Sequence, residues 1–474
     1  MTQISLIGAG LAGCVLSIYL ARRGFKVDIY ERRPDPRKVA NSEGRSINLT
    51  LSTRGIYVLK QIGLYDKIMK LAIPLKGRVI HSINQELTFQ PYGKKDNEVI
   101  YSMARNELNV ALLNEVESYK NIAIHFNQKC TGLEFESREL KLRDEISGQK
   151  TKVKTNTVIG TDGSASALRM DMLKRKGFNF SQYYLNHGYK ELKIPAGGNQ
   201  KFLLEKNALH IWPRGEYMIN GFPNIDGSFT CILFAPLQGE NSFESLNSPE
   251  KLLNFFQVQF PDAVSIMPTL VEDYFSNWTG SLVTVKCTPW SVDERALLLG
   301  DSAHAIVPFY GQGMNCAFED CVYLDECIDK YGTDWQKVFQ EFEKLRKINT
   351  DAIADLSVEN FTELREKVSD AKFLLKKKVE LALAQKYPKV FISKYSMLAF
   401  HRIPYSEARL QGRIQDRILD ELCESIDEVE NLNWEKVDEL VKERLIKQKN
   451  FSEQFYQATF LYPGGGGMPV PAPI

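Results

Sequence analysis

Apolar and polar positions change rhythm several times along the chain. Residues 2–7 form a largely apolar run, as expected of a strand buried on both faces of a parallel sheet. Residues 11–23 carry helical apolar content, and Gly24 stands where a helix C-terminus favours φ above zero. Phe25, Val27 and Ile29 alternate with polar neighbours and predict a second strand. Two later apolar runs predict strands that end in acidic turns. They are Val158–Ile159 before Gly160-Thr161-Asp162-Gly163, and Ala296–Leu299 before Gly300-Asp301. Residues 200–235 read as several short strands, with Asp226-Gly227 as a hairpin signal, and residues 78–92 also read as extended. This texture predicts an antiparallel sheet inserted into, or following, an α/β unit. From about residue 335 the pattern is helical and rich in charge, and residues 463–474, PGGGGMPVPAPI, read as a flexible or extended end.

Composition narrows the function classes. The 474 residues carry 60 Lys+Arg against 59 Asp+Glu, a net charge of +1, which lacks the basic excess of a nucleic-acid binder. The eight cysteines form no C-x-x-C pair, against zinc or dithiol chemistry and in favour of a reducing compartment. Cys316, Cys321 and Cys327 read as buried helical thiols, and the six histidines show no metal-ligand spacing. Residues 4–20 are apolar, but no basic stretch precedes them and they fall short of the ~20 residues of a spanning helix. The expectation is a cytoplasmic protein without a membrane span, with no metal and no nucleic acid. Oligomeric state is left open, a dimer being one option.

The first glycines carry chemistry. Gly8-Ala9-Gly10-Leu11-Ala12-Gly13 follows a predicted strand and opens a predicted helix. Gly8 permits the tight turn, Gly10 removes a Cβ that would block a pyrophosphate, and Gly13 lets helix and sheet approach. The helix start offers free N–H groups to phosphate. Glu31 ends the second strand, where a carboxylate can take a ribose diol. The motif fits FAD and NAD(P) alike.

The distal segment separates them. Gly300-Asp301-Ser302-Ala303-His304 precedes Pro308-Phe309-Tyr310-Gly311-Gln312-Gly313-Met314-Asn315 and then an apolar helix. Asp301 at a strand end can hold a ribityl hydroxyl, and Gly311 and Gly313 let backbone approach a flat ring. A helix starting near Met314 aims its positive end at the N1–C2=O edge of a reduced flavin. NAD has no need of such a second site, so these residues point to FAD.

GxGxxG, the turn at Asp162-Gly163 and the GDxAHxxxPxxGxGxN run together resemble the class A flavoprotein aromatic hydroxylases, which have the p-hydroxybenzoate-hydroxylase fold. The resemblance implies FAD contacts at Asp162, Arg105, Gly313, Met314 and Asn315, besides Gly8, Gly10, Leu11, Gly13, Glu31 and Asp301. It treats His304 as part of the flavin loop, a structural histidine rather than a base. Further stretches are similar to the kynurenine 3-monooxygenase branch of that family, from residue 3 to about 405. They are Arg45-Ser46-Ile47-Asn48-Leu49, Arg78-Val79-Ile80-His81-Ser82, Pro91-Tyr92-Gly93, His187-Gly188-Tyr189 and His210-Ile211-Trp212-Pro213-Arg214. By that likeness Arg78 and Tyr92 clamp the carboxylate of L-kynurenine, Asn360 and Tyr395 also reach the substrate, and Phe234 and Phe309 wall its ring. Tyr310 stands where relatives vary. Residues 433–449, NWEKVDELVKERLIKQK, are too charged to span a bilayer, unlike the anchor of animal members.

The likeness implies an α/β fold. A Rossmann-like FAD-binding domain (1–180, with 76–97 contributing to the substrate sheet) holds an inserted antiparallel β-sheet substrate domain (181–285). A return segment (286–335), a C-terminal helical region (336–460) and a flexible tail (461–474) complete it. The implied activity is hydroxylation of L-kynurenine to 3-hydroxykynurenine in tryptophan degradation. It uses tightly bound FAD, NADPH as a transient co-substrate, O2 and a flavin C4a-hydroperoxide, with no catalytic side chain. Two alternatives stay open: a hydroxylase of another amino- or hydroxy-aromatic acid, and a non-catalytic flavin-binding regulator.

Overall fold

The computed structural model describes residues 2–39, 47–93, 98–366 and 371–446, so Arg45, Ser46 and the expected tail lie outside the described residues. The chain divides into two units, Met1–Val368 with Ser396–Ser406, and Ser369–Tyr395 with Glu407–Ile474.

In the first unit the opening apolar run becomes the strand Gln3–Ile7, the centre of a six-stranded sheet. It pairs in parallel with Lys26–Tyr30 and with Thr157–Gly160. Ile122–His125 extends one side; Ala296–Leu298 and the short antiparallel Ser291–Val292 extend the other. The helix Leu11–Arg22 is buried along nearly its whole length, and Gly24 after it has φ +82°. Such all-round burial explains why residues 4–20 look like a membrane segment in the sequence. The core joins this sheet to the helices Arg105–Val116 and Gly313–Tyr331 through Leu6, Val15, Ile18, Leu112, Phe318 and Leu324. No helix among the described residues is long and apolar enough to cross a membrane.

The second sheet of this unit has seven strands, in the order Gly280–Thr288, Asn179–Ile194, Phe229–Pro236, Tyr217–Pro223, Ala208–Arg214, Gly77–His81 and Leu87–Pro91. All neighbours are antiparallel except Ala208–Arg214 with Gly77–His81, which are parallel. The Asp226-Gly227 step closes a hairpin, with Gly227 at φ +87°. Alternate residues of a strand point to opposite faces. One face supplies Leu192, Ile194, Trp212, Ile219, Cys231 and Leu233 to a core with Leu252, Phe256, Phe260 and Tyr274. Those partners come from the helices Pro249–Gln259 and Leu270–Ser276 and the turn between them, a helical cover that the strand-like texture of residues 200–235 did not predict. The other face carries Arg78, Met218, Phe234 and Tyr189.

Two smaller three-stranded sheets complete the first unit, one joining Asn48–Leu51, Ile100–Ala104 and Ile73–Leu75. The long helix Trp335–Glu366 begins where the charge-rich helical pattern starts. The second unit has its own core of Leu375, Val379, Leu383, Ile418, Leu422 and Val437, from the helix Ala371–Lys386 and the segments after Glu407.

Candidate active site

At the dinucleotide motif the glycines are required for different reasons. Gly8 has φ +101°, and a Cβ there would lie 2.7 Å from Thr161 O. A Cβ on Gly13 would fall 2.0 Å from Gly8 O, so helix and loop touch backbone to backbone. A Cβ on Gly10 would meet nothing within 4 Å among the described residues, so what Gly10 keeps open is space. Among the described residues no side chain caps the helix that starts at Leu11, which leaves its first N–H groups facing that space. Glu31 accepts from Ala9 N at 2.8 Å through one oxygen and from Arg33 N at 2.9 Å through the other. Two acceptor positions of the carboxylate remain for a diol. A phosphate-sized opening, a helix start and a carboxylate beside it fit the pyrophosphate and ribose of FAD.

Asp162 follows the parallel strand Thr157–Gly160. Its Oδ2 accepts from Ala167 N at 2.8 Å, and its buried Oδ1 has no hydrogen-bond partner among the described residues. Burial raises its pKa above the usual carboxylate range. Arg105 and Asp301 are both exposed, each on the first turn of a helix. Gly311 has φ +62°, with Thr50 Oγ1 only 1.9 Å from where a Cβ would sit. Gly313 and Met314 open the helix Gly313–Tyr331, again without a side-chain cap.

Asn315 plays a different local part. Its Oδ1 accepts from Ser52 N (3.0 Å) and Gly55 N (3.2 Å), and its Nδ2 donates to Thr50 O (2.8 Å) and Gly311 O (2.9 Å). Both donors and both acceptor positions of the amide are thus used inside the protein. Asn315 ties the flavin-side loop to the strand Asn48–Leu51, and only its backbone is left for a cofactor.

Beneath this loop lies a buried ionic lattice that sequence reasoning missed. His304 Nε2 meets Asp320 Oδ2 at 2.7 Å, in keeping with a structural histidine. Arg346 donates to Asp320 (2.7 Å) and to Glu319 (3.0 Å), and Arg54 donates to Glu319 (2.9 Å). Burial alone would raise the pKa of Asp320 and Glu319. His304 and Arg346 outweigh it for Asp320, and Arg346, Arg54 and Arg402 for Glu319, so both stay below the usual range. The Arg54 guanidinium also lies 3.9 Å from the Tyr405 ring, whose hydroxyl bonds to Gln312 Oε1 at 2.9 Å. The available signal was the acid pair Glu319-Asp320 inside the apolar run Cys316–Leu324.

The groups expected at the substrate end fall into two clusters. Arg78 sits with its guanidinium 5.2 Å from the ring centre of the buried Tyr92. Phe309 packs between Phe234 at 5.1 Å and Phe361, stacked at 4.5 Å. Asn360 Nδ2 donates to Phe309 O at 2.8 Å. Phe361 was not singled out in the sequence, although it follows Asn360 directly. Tyr395 lies on the helix Lys394–Ala399 and is counted with the second unit.

Comparison with known proteins bears on what this arrangement serves. Residues 1–187 and 273–331 match the FAD binding domain family. The chain is 49% identical over 442 residues to the kynurenine 3-monooxygenase of Myxococcus xanthus, covering 93% of this chain and 95% of that protein. It is 44% identical over 457 residues to the kynurenine 3-monooxygenase of Dictyostelium discoideum, covering 94% and 97%. Among solved structures, the tetrameric form of 2-methyl-3-hydroxypyridine-5-carboxylic acid oxygenase aligns with TM-score 0.62 at 20% identity, covering 79% of this chain and 95% of that one. PqsL of Pseudomonas aeruginosa in complex with 2-aminobenzoylacetate aligns with TM-score 0.60 at 17% identity, covering 77% and 96%. These structural likenesses establish the shared fold.

Proposed function

The chain belongs to the kynurenine 3-monooxygenase family, and from that premise we propose that it converts L-kynurenine to 3-hydroxykynurenine with FAD, NADPH and O2. The observation that carries the reading is one sheet face with a cationic end and an aromatic end. Arg78 beside Tyr92 supplies the first, Phe234 against Phe309 the second. An amino acid with an aryl ring at its far end matches both.

In this reading Arg78 grips the substrate carboxylate through two parallel N–H bonds, and the Tyr92 hydroxyl donates a third. Asn360 adds a polar contact, and Phe234 and Phe309 hold the ring and exclude water from it. Gly8, Gly10, Leu11 and Gly13 seat the pyrophosphate, Glu31 a ribose and Asp301 a ribityl hydroxyl. The helix N-terminus at Gly313, Met314 and Asn315 would hold the flavin ring through backbone N–H groups, and Arg105 and Asp162 would contribute to the same cofactor site. FAD, when bound, would supply the redox chemistry of hydride acceptance and oxygen activation, which the side chains themselves lack. The ring amine of the substrate directs oxygen to the neighbouring carbon, so no side chain needs to act as a nucleophile. Cytoplasmic residence is part of the proposal, supported by eight buried cysteines that are all free.

The test is direct. Purified protein incubated with NADPH, O2 and L-kynurenine should yield 3-hydroxykynurenine by mass spectrometry. Flavin-bearing protein that leaves L-kynurenine untouched would overturn the reading.

A further inference from the structure

Between the cationic and aromatic ends stands a residue that the reading above does not use. Asn220, on the strand Tyr217–Pro223, lies opposite Ile211 on one side and Ile232 on the other. Ile211 in turn lies opposite Ile80, two residues along the same strand from Arg78. Ile232 is two residues from Phe234. Cross-strand partners share a face, and so do residues two apart. Arg78, Asn220 and Phe234 therefore run along one diagonal of one sheet face, with Asn220 in the middle. It sits two strand spacings across and two residues along from Arg78, about 12 Å, and in a diagonal position to Phe234, about 7–8 Å. Its neighbour Ile219 occupies the opposite face, in the helix-covered core.

Asn220 is a polar residue among Ile211, Met218, Phe222 and Ile232 on that face. Its Oδ1 is buried and has no hydrogen-bond partner among the described residues. A buried amide oxygen without a donor carries a desolvation cost that an apolar residue of similar size would avoid. A ligand that brings an N–H to that point removes the cost. With the carboxylate at Arg78 and the ring at Phe234, the stretch of substrate that passes Asn220 bears two amines, one on the α-carbon and one on the ring.

We propose that Asn220 is a specificity-determining residue of the substrate site, whose Oδ1 accepts a hydrogen bond from an amine of the substrate. The assignment rests on the function proposed above and adds to it: the site selects for an amine between carboxylate and ring. An analogue that lacks the amine forfeits this bond and leaves Oδ1 unpaired.

The experiment measures ligand affinity through the perturbation of flavin absorbance, on the FAD-loaded protein without turnover. The ligands are L-kynurenine, its analogue without the α-amine and its analogue without the ring amine. Asn220→Leu should retain FAD and bind L-kynurenine about tenfold more weakly than wild type. It should bind one of the two analogues as wild type does, and that analogue identifies the amine received. Unchanged affinity for L-kynurenine, or an equal loss for all three ligands, would overturn the assignment. Should Asn220→Leu lose FAD, Asn220→Asp decides. It keeps the acceptor and should bind L-kynurenine at least as tightly as wild type; a tenfold loss would refute the role. Failure of the wild-type protein to bind L-kynurenine removes the proposed function and this assignment with it. Tight wild-type binding with an indifferent variant removes only Asn220.

Discussion

On the six-stranded sheet, Gly8, Gly10 and Gly13 shape one end of the cofactor cradle within a single loop and helix turn, mostly with backbone. On the seven-stranded sheet, Asn220 and Phe234 come from the two strands of one hairpin and Arg78 from a strand distant in the chain, and the three share a face only through register. The two regions therefore respond differently to change. A side chain added at Gly8 or Gly13 collides with main chain, which cannot move aside. In the proposed reading, a side chain changed on the face of the large sheet that carries Arg78 would alter what binds there, while the opposite face keeps its packed core of Trp212, Phe256 and Phe260. Cofactor binding is thus bound up with folding, and substrate choice is largely separate from it.

The contrast can be broken at several points. The largest effect is expected at Arg346→Met, which leaves Glu319 and Asp320 buried without their shared cation. Loss of one partner from a buried ion pair costs about 3–5 kcal/mol. Urea unfolding should show that loss together with loss of flavin; a stable variant that keeps flavin would separate the lattice from the cradle. Arg78→Ala should do the opposite, keeping flavin and the melting temperature while L-kynurenine affinity falls by about 2–5 kcal/mol. Titration of the FAD-loaded variant checks this, and normal affinity would take Arg78 out of the site.

Acid should act on the large sheet through His210, which lies 2.9 Å from His81 and 2.9 Å from Glu205 O. Burial, the largest cause, pushes His210 down from 6.5 to about 4. Between those values the unfolded chain takes up a proton that the folded chain refuses, so stability falls as pH drops through this window. The full loss is about 3 kcal/mol. Denaturant titrations across the window should show the slope in wild type and a flatter one in His210→Gln. Asp262, bonded to His81 and Trp212, has a depressed pKa, so its contribution is lost only at still lower pH. The smallest expected change is Phe361→Leu, which removes the ring stacked on Phe309 and should weaken L-kynurenine by about 1 kcal/mol. An equal loss of flavin would assign Phe361 to the cradle instead.

How much was legible beforehand follows the same division. The strand Gln3–Ile7, the helix after it, the paired acidic turns and the second glycine loop stood in the amino-acid order, because each announces itself through apolar pattern and turn residues within a short stretch. The helical cover over residues 249–276 did not show in the strand-like pattern around it. Nor did the amide of Asn315, whose four bonds reach back to residues 50–55 and to Gly311.

Taken alone, the sequence determined the cradle and the kind of cofactor it suits, because glycine torsions, a helix start and a strand-end carboxylate are local properties. The tertiary structure decided which side chains share one face of the seven-stranded sheet, which charges neutralise one another under the glycine loop, and that the amide oxygen of Asn220 is left without a donor among the described residues. The reason is physical: strand register and buried charge pairing arise from contacts between distant segments, and a shift of one residue would turn every side chain of a strand to the other face.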